Sequence, residues 1–136
     1  MEDPLPSYPG YALRRAANAA AAELANRLST IGLRQSDASA LILIGLNPHI
    51  TASTLGKQLD IQRANMVPLL KRLEEDHLIE RKPIDGKSQG LTLTNLGKIA
   101  RDEAGAVIED FEGDLLAQVP AQHRDHFLPA LNALWR

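Results

Sequence analysis

TASTLGKQLDIQRANMVPLLKRLEED, residues 51–76, carries two helical periods separated by a turn. Thr51 is a residue type whose side-chain oxygen caps helices, and Leu55 and Leu59 follow at a four-residue step, so a short helix is expected after it. Asp60-Ile61 interrupts the period. From Arg63 to Asp76, steps of about 100° per residue put Met66, Leu69, Leu70 and Leu73 on one face and Ala64, Asn65, Pro68, Lys71, Arg72 and Glu75 on the other. One face packs and the other is free to read a partner, which is the pattern of a helix-turn-helix. Pro68 removes a backbone donor beyond the first turn, so a kink is expected there.

Working outward, Leu78 to Pro83 and Leu91-Thr92-Leu93 read as the strands of a hairpin, and the polar segment Ile84 to Gly90 forms its tip, the shape of a wing. Before the helix-turn-helix, Ala38 to Leu46 is apolar nearly all round, as in a helix at the centre of a small domain. Ser36 is read as its cap and Asn47-Pro48 as its stop. His49-Ile50 is read as a short strand. Leu13, Ala17, Ala20, Leu24 and Leu28 recur at helical spacing from Tyr11 to Ser29, and Gly32 ends that helix. Residues 1–10, with Pro4, Pro6, Pro9 and Gly10, are expected to be an irregular arm.

After the hairpin, Thr94 is expected to cap a long helix carrying Ile99, Ala104, Val107, Phe111 and Leu115, ended by Pro120. A last helix with Phe127, Leu128, Leu131, Leu134 and Trp135 has more apolar surface than a monomer of this size easily hides. That surplus points to a homodimer. The fold expected is mainly α: a winged helix-turn-helix with a small β-hairpin wing and N- and C-terminal dimerisation helices. It is one domain over residues 1–136, with the winged lobe at 36–94 and the dimerisation helices at 11–31 and 95–136.

The 136 residues include 44% hydrophobic and 24% charged residues, the balance of an ordinary soluble domain. The longest apolar run is too short to cross a bilayer and no basic apolar leader opens the chain, so a cytoplasmic location is expected. Cysteine is absent, which removes disulfides, thiolate metal sites and cysteine redox sensing. The net charge of −2 hides an uneven distribution: Leu55 to Arg101 carries nine Lys/Arg against six Asp/Glu, the rest six against eleven. The positive excess lies where a phosphate-facing surface needs it.

These segments together resemble the MarR family of winged helix-turn-helix transcriptional regulators. The resemblance is carried by Leu55-Gly56-Lys57-Gln58-Leu59-Asp60-Ile61, Leu69-Leu70-Lys71-Arg72-Leu73-Glu74-Glu75, Leu78-Ile79-Glu80-Arg81, Asp85-Gly86-Lys87 and Leu93-Thr94-Asn95-Leu96-Gly97, in the family's order. It implies a dimer that regulates transcription on a pseudo-palindromic double-stranded operator, as a repressor released by a small aromatic carboxylate or phenolic ligand. Where such proteins usually follow the wing aspartate with two arginines, this chain has Gly86 and Lys87. Where they have glycine after the recognition helix, it has His77.

In this reading the DNA-contacting residues are Gln62, Arg63, Ala64, Asn65, Pro68, Lys71, Arg72 and Lys87. The Asn65 carboxamide can pair bidentately with adenine and Pro68 can touch a thymine methyl, while Gln62 and Arg63 reach bases or phosphates from the helix start. Lys71 and Arg72 are read as phosphate contacts, and Lys87 as a wing contact that positions the protein more than it reads. Asp85 is expected to pair with Arg81 and order the wing. The bland alternative is that Asn65 and Lys71 are solvated helix positions.

By analogy with the family, Tyr11, Arg14, Arg15, Asn18 and His49 are candidates for an effector pocket, an arginine being suited to grip a carboxylate. The alternative is a solvated arginine pair beside a core tyrosine. His123 and His126 are spaced to share a helix face, but no third ligand is spaced with them and no metal or other cofactor is expected. No catalytic fingerprint is present, so an enzyme is not expected. The rival reading is a winged-helix module that binds a protein rather than DNA.

Overall fold

A computed structural model describes residues 1–136. A 3-10 turn at Leu5–Ser7 leads into α1, Pro9–Ser29, followed by α2, Gln35–Leu46, α3, Ala52–Gln58, and α4, Arg63–Glu75. The hairpin strands β1, Ile79–Pro83, and β2, Gln89–Leu93, come next, then α5, Asn95–Gln118, and after a second 3-10 turn the short α6, Arg124–Asn132. The architecture is the expected one, mainly helical with a two-stranded antiparallel hairpin. No helix is long and apolar enough to cross a membrane.

The N-terminal arm is shorter than the prolines suggested. Pro9 occupies the first turn of α1, where its missing N–H is not needed and its fixed φ suits the helix. α2 begins at Gln35 with Arg34, not Ser36, as its cap residue. The reason is Asp37, whose carboxylate reaches back to accept the Arg34 N–H at 2.9 Å, the return arm of a capping box, and so fixes the helix start two residues earlier than a Ser36 cap would. Ala38, Ala40, Leu41 and Ile44 are buried between α5, the hairpin and the helix-turn-helix.

Three helices end with the same device, in which a left-handed residue lets the next amide bond back to a carbonyl five residues earlier. At the end of α1 it is Gly32 with φ 73°, and Leu33 donates to Leu28. After α3 it is Asp60 with φ 55°, with Ile61 donating to Gly56, and after α4 it is His77 with φ 59°, with Leu78 donating to Leu73. Non-glycine residues occupy two of the three positions, so His77 is a cap held at some cost in strain.

Ile79 pairs with Leu93 and Pro83 with Gln89 at the two ends of the hairpin. Ile50 adds a single bridge to Leu91, the short strand expected at His49-Ile50 reduced to one rung. A side chain at Gly90 would lie 2.7 Å from the His49 Cα, so only glycine admits this approach. The Thr94 hydroxyl accepts the Gly97 N–H at 3.0 Å, capping α5 as expected, and donates to the His77 carbonyl at 2.6 Å. One side chain thereby joins the end of α4 to the start of α5.

Leu28, Leu41, Ile44, Leu55, Leu69, Leu70, Leu73 and Leu91 have almost no solvent contact, and they tie α1, α2, the helix-turn-helix and the hairpin into one core. Arg27 of α1 bonds Asp114 of α5 at 2.8 Å and lies 5.6 Å from the Phe111 ring centre. His123 is the cap residue of α6 rather than part of it, so the two histidines do not share a helix face as their spacing suggested.

Candidate nucleic-acid interface

Thr51 starts the interface by accepting the Thr54 N–H on its hydroxyl, which fixes the first turn of α3. Gly56 lets α3 and α4 meet, because a Cβ there would be 3.1 Å from Met66 Cγ and 3.2 Å from the Ile61 carbonyl. Met66, Leu69, Leu70 and Leu73 are buried, as the periodicity predicts, so the opposite side of α4 is presented outward. α4 runs unbroken from Arg63 to Glu75 through Pro68, so the expected kink does not interrupt it. Pro68 is exposed, where water can satisfy the carbonyl that its missing N–H leaves unpaired.

A cleft of about 1060 Å³ opens between α3, the first half of α4 and the hairpin. Its charged rim is Lys57, Arg63, Arg81 and Lys87 against Asp60 and Asp85. Two of these six are engaged elsewhere. Arg81 bonds Glu74 of α4 at 2.8 Å, and the Asp85 carboxylate accepts the N–H groups of Lys87 and Ser88, each at 2.8 Å. Those two bonds, the Lys87 amide first, hold the Asp85 carboxyl below its ordinary pKa, so it stays ionised. Asp85 orders the wing through its own backbone turn and not through Arg81 as the sequence suggested. Lys57, Arg63 and Lys87 are exposed and take part in none of the chain's ion pairs, which leaves a cationic cleft.

Of the residues singled out in the sequence, Gln62, Arg63 and Lys87 line this cleft. Ala64, Asn65, Pro68 and Lys71 are exposed on α4, with Lys71 only loosely facing Glu75 at 3.9 Å. Arg72 has a partner within the chain. Its guanidinium reaches Asp37, 2.9 Å away across 35 residues of sequence, and its Nε is buried without a partner. It anchors α4 to the start of α2, with about a third of its side chain (32%) still exposed beside the candidate DNA-facing positions. Asn65 lies on the same flank of α4, about 20° from Arg72 at 100° per residue.

Three contributors were missed by the sequence reading: Lys57, Ser53 at the start of α3, and Val67, which is 65% exposed and lines the cleft. Val67 lies about 110° from the centre of the buried stripe, so a complete wheel of α4 would have found it.

The effector candidates divide into two groups. Arg15 donates to the Tyr11 hydroxyl at 2.7 Å, and the Arg14 and Arg15 guanidinium carbons lie 5.3 and 5.7 Å from the Tyr11 ring centre. Asn18 is exposed one turn further along α1. His49, with φ 71°, is held against the middle of β2, its N–H donating to the Leu91 carbonyl at 2.9 Å.

The family model described as MarR family matches residues 33–88, the span of α2, the helix-turn-helix, β1 and the hairpin tip. A putative transcriptional regulatory protein for the hcr operon of Thauera aromatica is 30% identical over 132 residues, covering 93% of this chain and 78% of that protein. This chain belongs to the MarR family. The MarR-type winged lobe identifies it as a DNA-binding transcriptional regulator. The transcriptional repressor CouR, solved bound to a 23-mer DNA duplex, superposes with a TM-score of 0.88 at 27% identity, over 100% of this chain and 98% of that one. CouR is also solved bound to p-coumaroyl-CoA. The MarR family protein Rv2887 of Mycobacterium tuberculosis, solved with salicylic acid, superposes with a TM-score of 0.75 at 25% identity, over 93% and 96% of the two chains.

Proposed function

We propose that this MarR-family regulator is a repressor that acts as a homodimer on a pseudo-palindromic operator and is released by an aromatic acid or its thioester. The observation that carries the proposal is the cationic cleft between the recognition helix and the wing. A helix that enters the major groove brings the wing over the flanking backbone, where Lys57 and Lys87 meet phosphates and Gln62, Arg63 and Asn65 meet base edges. The likeness to a repressor solved on DNA supports the same docking. Lobe 36–94 then does the reading, and the helices at 11–31 and 95–136 hold the two copies together. Binding, with no catalytic step, is the activity, and it takes place on DNA in the cytoplasm.

The effector class is argued from Tyr11, Arg14 and Arg15. Two guanidinium groups beside a phenol ring, one of them donating to its hydroxyl, put cations next to an aromatic surface, and their N–H groups suit a carboxylate or a phosphate. Relatives solved with salicylic acid and with p-coumaroyl-CoA have ligands of this chemistry. The test is fluorescence anisotropy on a duplex from the region upstream of the chain's own gene, titrated with salt and then with salicylate or p-coumaroyl-CoA. Affinity is expected to fall steeply with salt as phosphate contacts are lost, and one of the two compounds is expected to release the duplex. Binding that ignores both salt and sequence would exclude the operator reading.

A further inference from the structure

We infer that Val67 is a specificity-determining residue that reads the 5-methyl group of a thymine in each operator half-site. The inference rests on the DNA-reading assignment above and deepens it. The side chain is 65% exposed, yet it lines the cationic cleft rather than standing alone on the surface. Around it, the outward residues of the second turn of α4 are Val67 and Pro68, with Ala64 one turn before them, and none of the three has a side-chain hydrogen-bonding group. The polar candidates lie elsewhere. Gln62 and Arg63 stand at the start of the helix, Lys71 one turn beyond Val67 facing Glu75, Asn65 lies on the flank of Arg72, and Arg72 itself is bound to Asp37.

The second turn therefore has only alkyl surface to offer a base. In the major groove the one alkyl group on any base pair is the thymine methyl, and the other edge atoms are donors and acceptors that need partners. A G·C pair pressed against Val67 loses water from N4, O6 and N7 and gains nothing in return, a cost that selects against it. Thymine loses only water around a methyl, which favours contact. Valine is β-branched and restricted at χ1 in a helix, so it presents its two methyls with little loss of rotamer freedom.

The test replaces the thymines of the footprinted half-site one at a time with deoxyuridine, which removes only the methyl, and measures affinity for the wild type and for Val67→Ala. At one position the wild type is expected to lose roughly fourfold per half-site, the value of about one buried methyl-sized group. Val67→Ala is expected to bind the thymine and deoxyuridine duplexes equally, with the salt dependence of the wild type. Val67→Thr, which keeps the shape, is expected to retain part of the discrimination, and circular dichroism confirms that both variants are folded. A deoxyuridine penalty of equal size in Val67→Ala would overturn the assignment, as would a silent scan in a wild type that still binds its operator. Failure of the wild type to prefer any duplex would instead overturn the DNA reading on which the assignment depends.

Discussion

Asp37 serves two helices with one carboxylate. One oxygen accepts the Arg34 N–H that starts α2, and the other takes the Arg72 guanidinium of the recognition helix. It is 5% exposed and is the charged residue of the core, so its removal leaves Arg72 half-desolvated and unpaired. Asp37→Ala is expected to cost roughly 3 kcal/mol, the low end for a broken buried pair because Arg72 keeps about a third of its side chain in water. Urea unfolding monitored by circular dichroism measures this. An unchanged midpoint would mean that the pair contributes nothing. None of this was legible in the sequence, because an arginine on the polar side of a helical wheel gives no hint of a partner 35 residues away. Asn65 and Lys87, by contrast, were visible as exposed polar positions from periodicity and turn composition alone.

The elements themselves were more readable. Thr51 and Thr94 were identified as caps and both hydroxyls accept the amide three residues on, because capping is local chemistry. Ser36 failed as a cap for a related reason. A nearby carboxylate competed for the same helix start, and the tertiary pairing of Asp37 decided between them. The recognition helix ends at His77, where the left-handed backbone prefers glycine. His77→Gly is expected to stabilise the protein by about 1 kcal/mol, a rise in Tm of roughly 4 °C, because the hydrogen bonds it carries there are made by its backbone. Differential scanning calorimetry reads the shift. A fall in Tm would show that the imidazole makes a stabilising contact that outweighs the strain.

At the scale of the molecule, the apolar surface left over by the fold is concentrated in the terminal elements. Tyr8, Leu13, Leu116, Leu128, Leu134 and Trp135 are exposed, with Leu128 at 63% and Trp135 at 75%. This surplus was legible from composition, since too many large apolar residues crowd the last fifteen positions for a single copy to cover. We propose that a second copy covers them. Leu128→Asp combined with Trp135→Asp is then expected to shift the chain from dimer to monomer in light scattering and to weaken operator binding more than tenfold, since two linked lobes bind with avidity. A dimer that survives both substitutions would place the interface elsewhere. Charge behaves similarly at this scale. The net −2 concealed a positive middle, and the cleft places four of those cations at its rim, three of them outside any ion pair.

The link between Asp37 and Arg72 also bears on how such proteins can be re-engineered. A recognition helix is often imagined as a cassette, to be exchanged between relatives so that one scaffold acquires another's operator. Here the cassette has a key outside itself. A transplanted helix that lacks arginine at position 72 leaves Asp37 facing an empty place, and a scaffold without an acid at 37 leaves an incoming Arg72 with nothing to hold. Swapping specificity in this chain therefore requires two separate segments to be carried across together, and libraries that vary the exposed positions 62–65, 67 and 68 while fixing positions 37, 66 and 72 keep the scaffold intact.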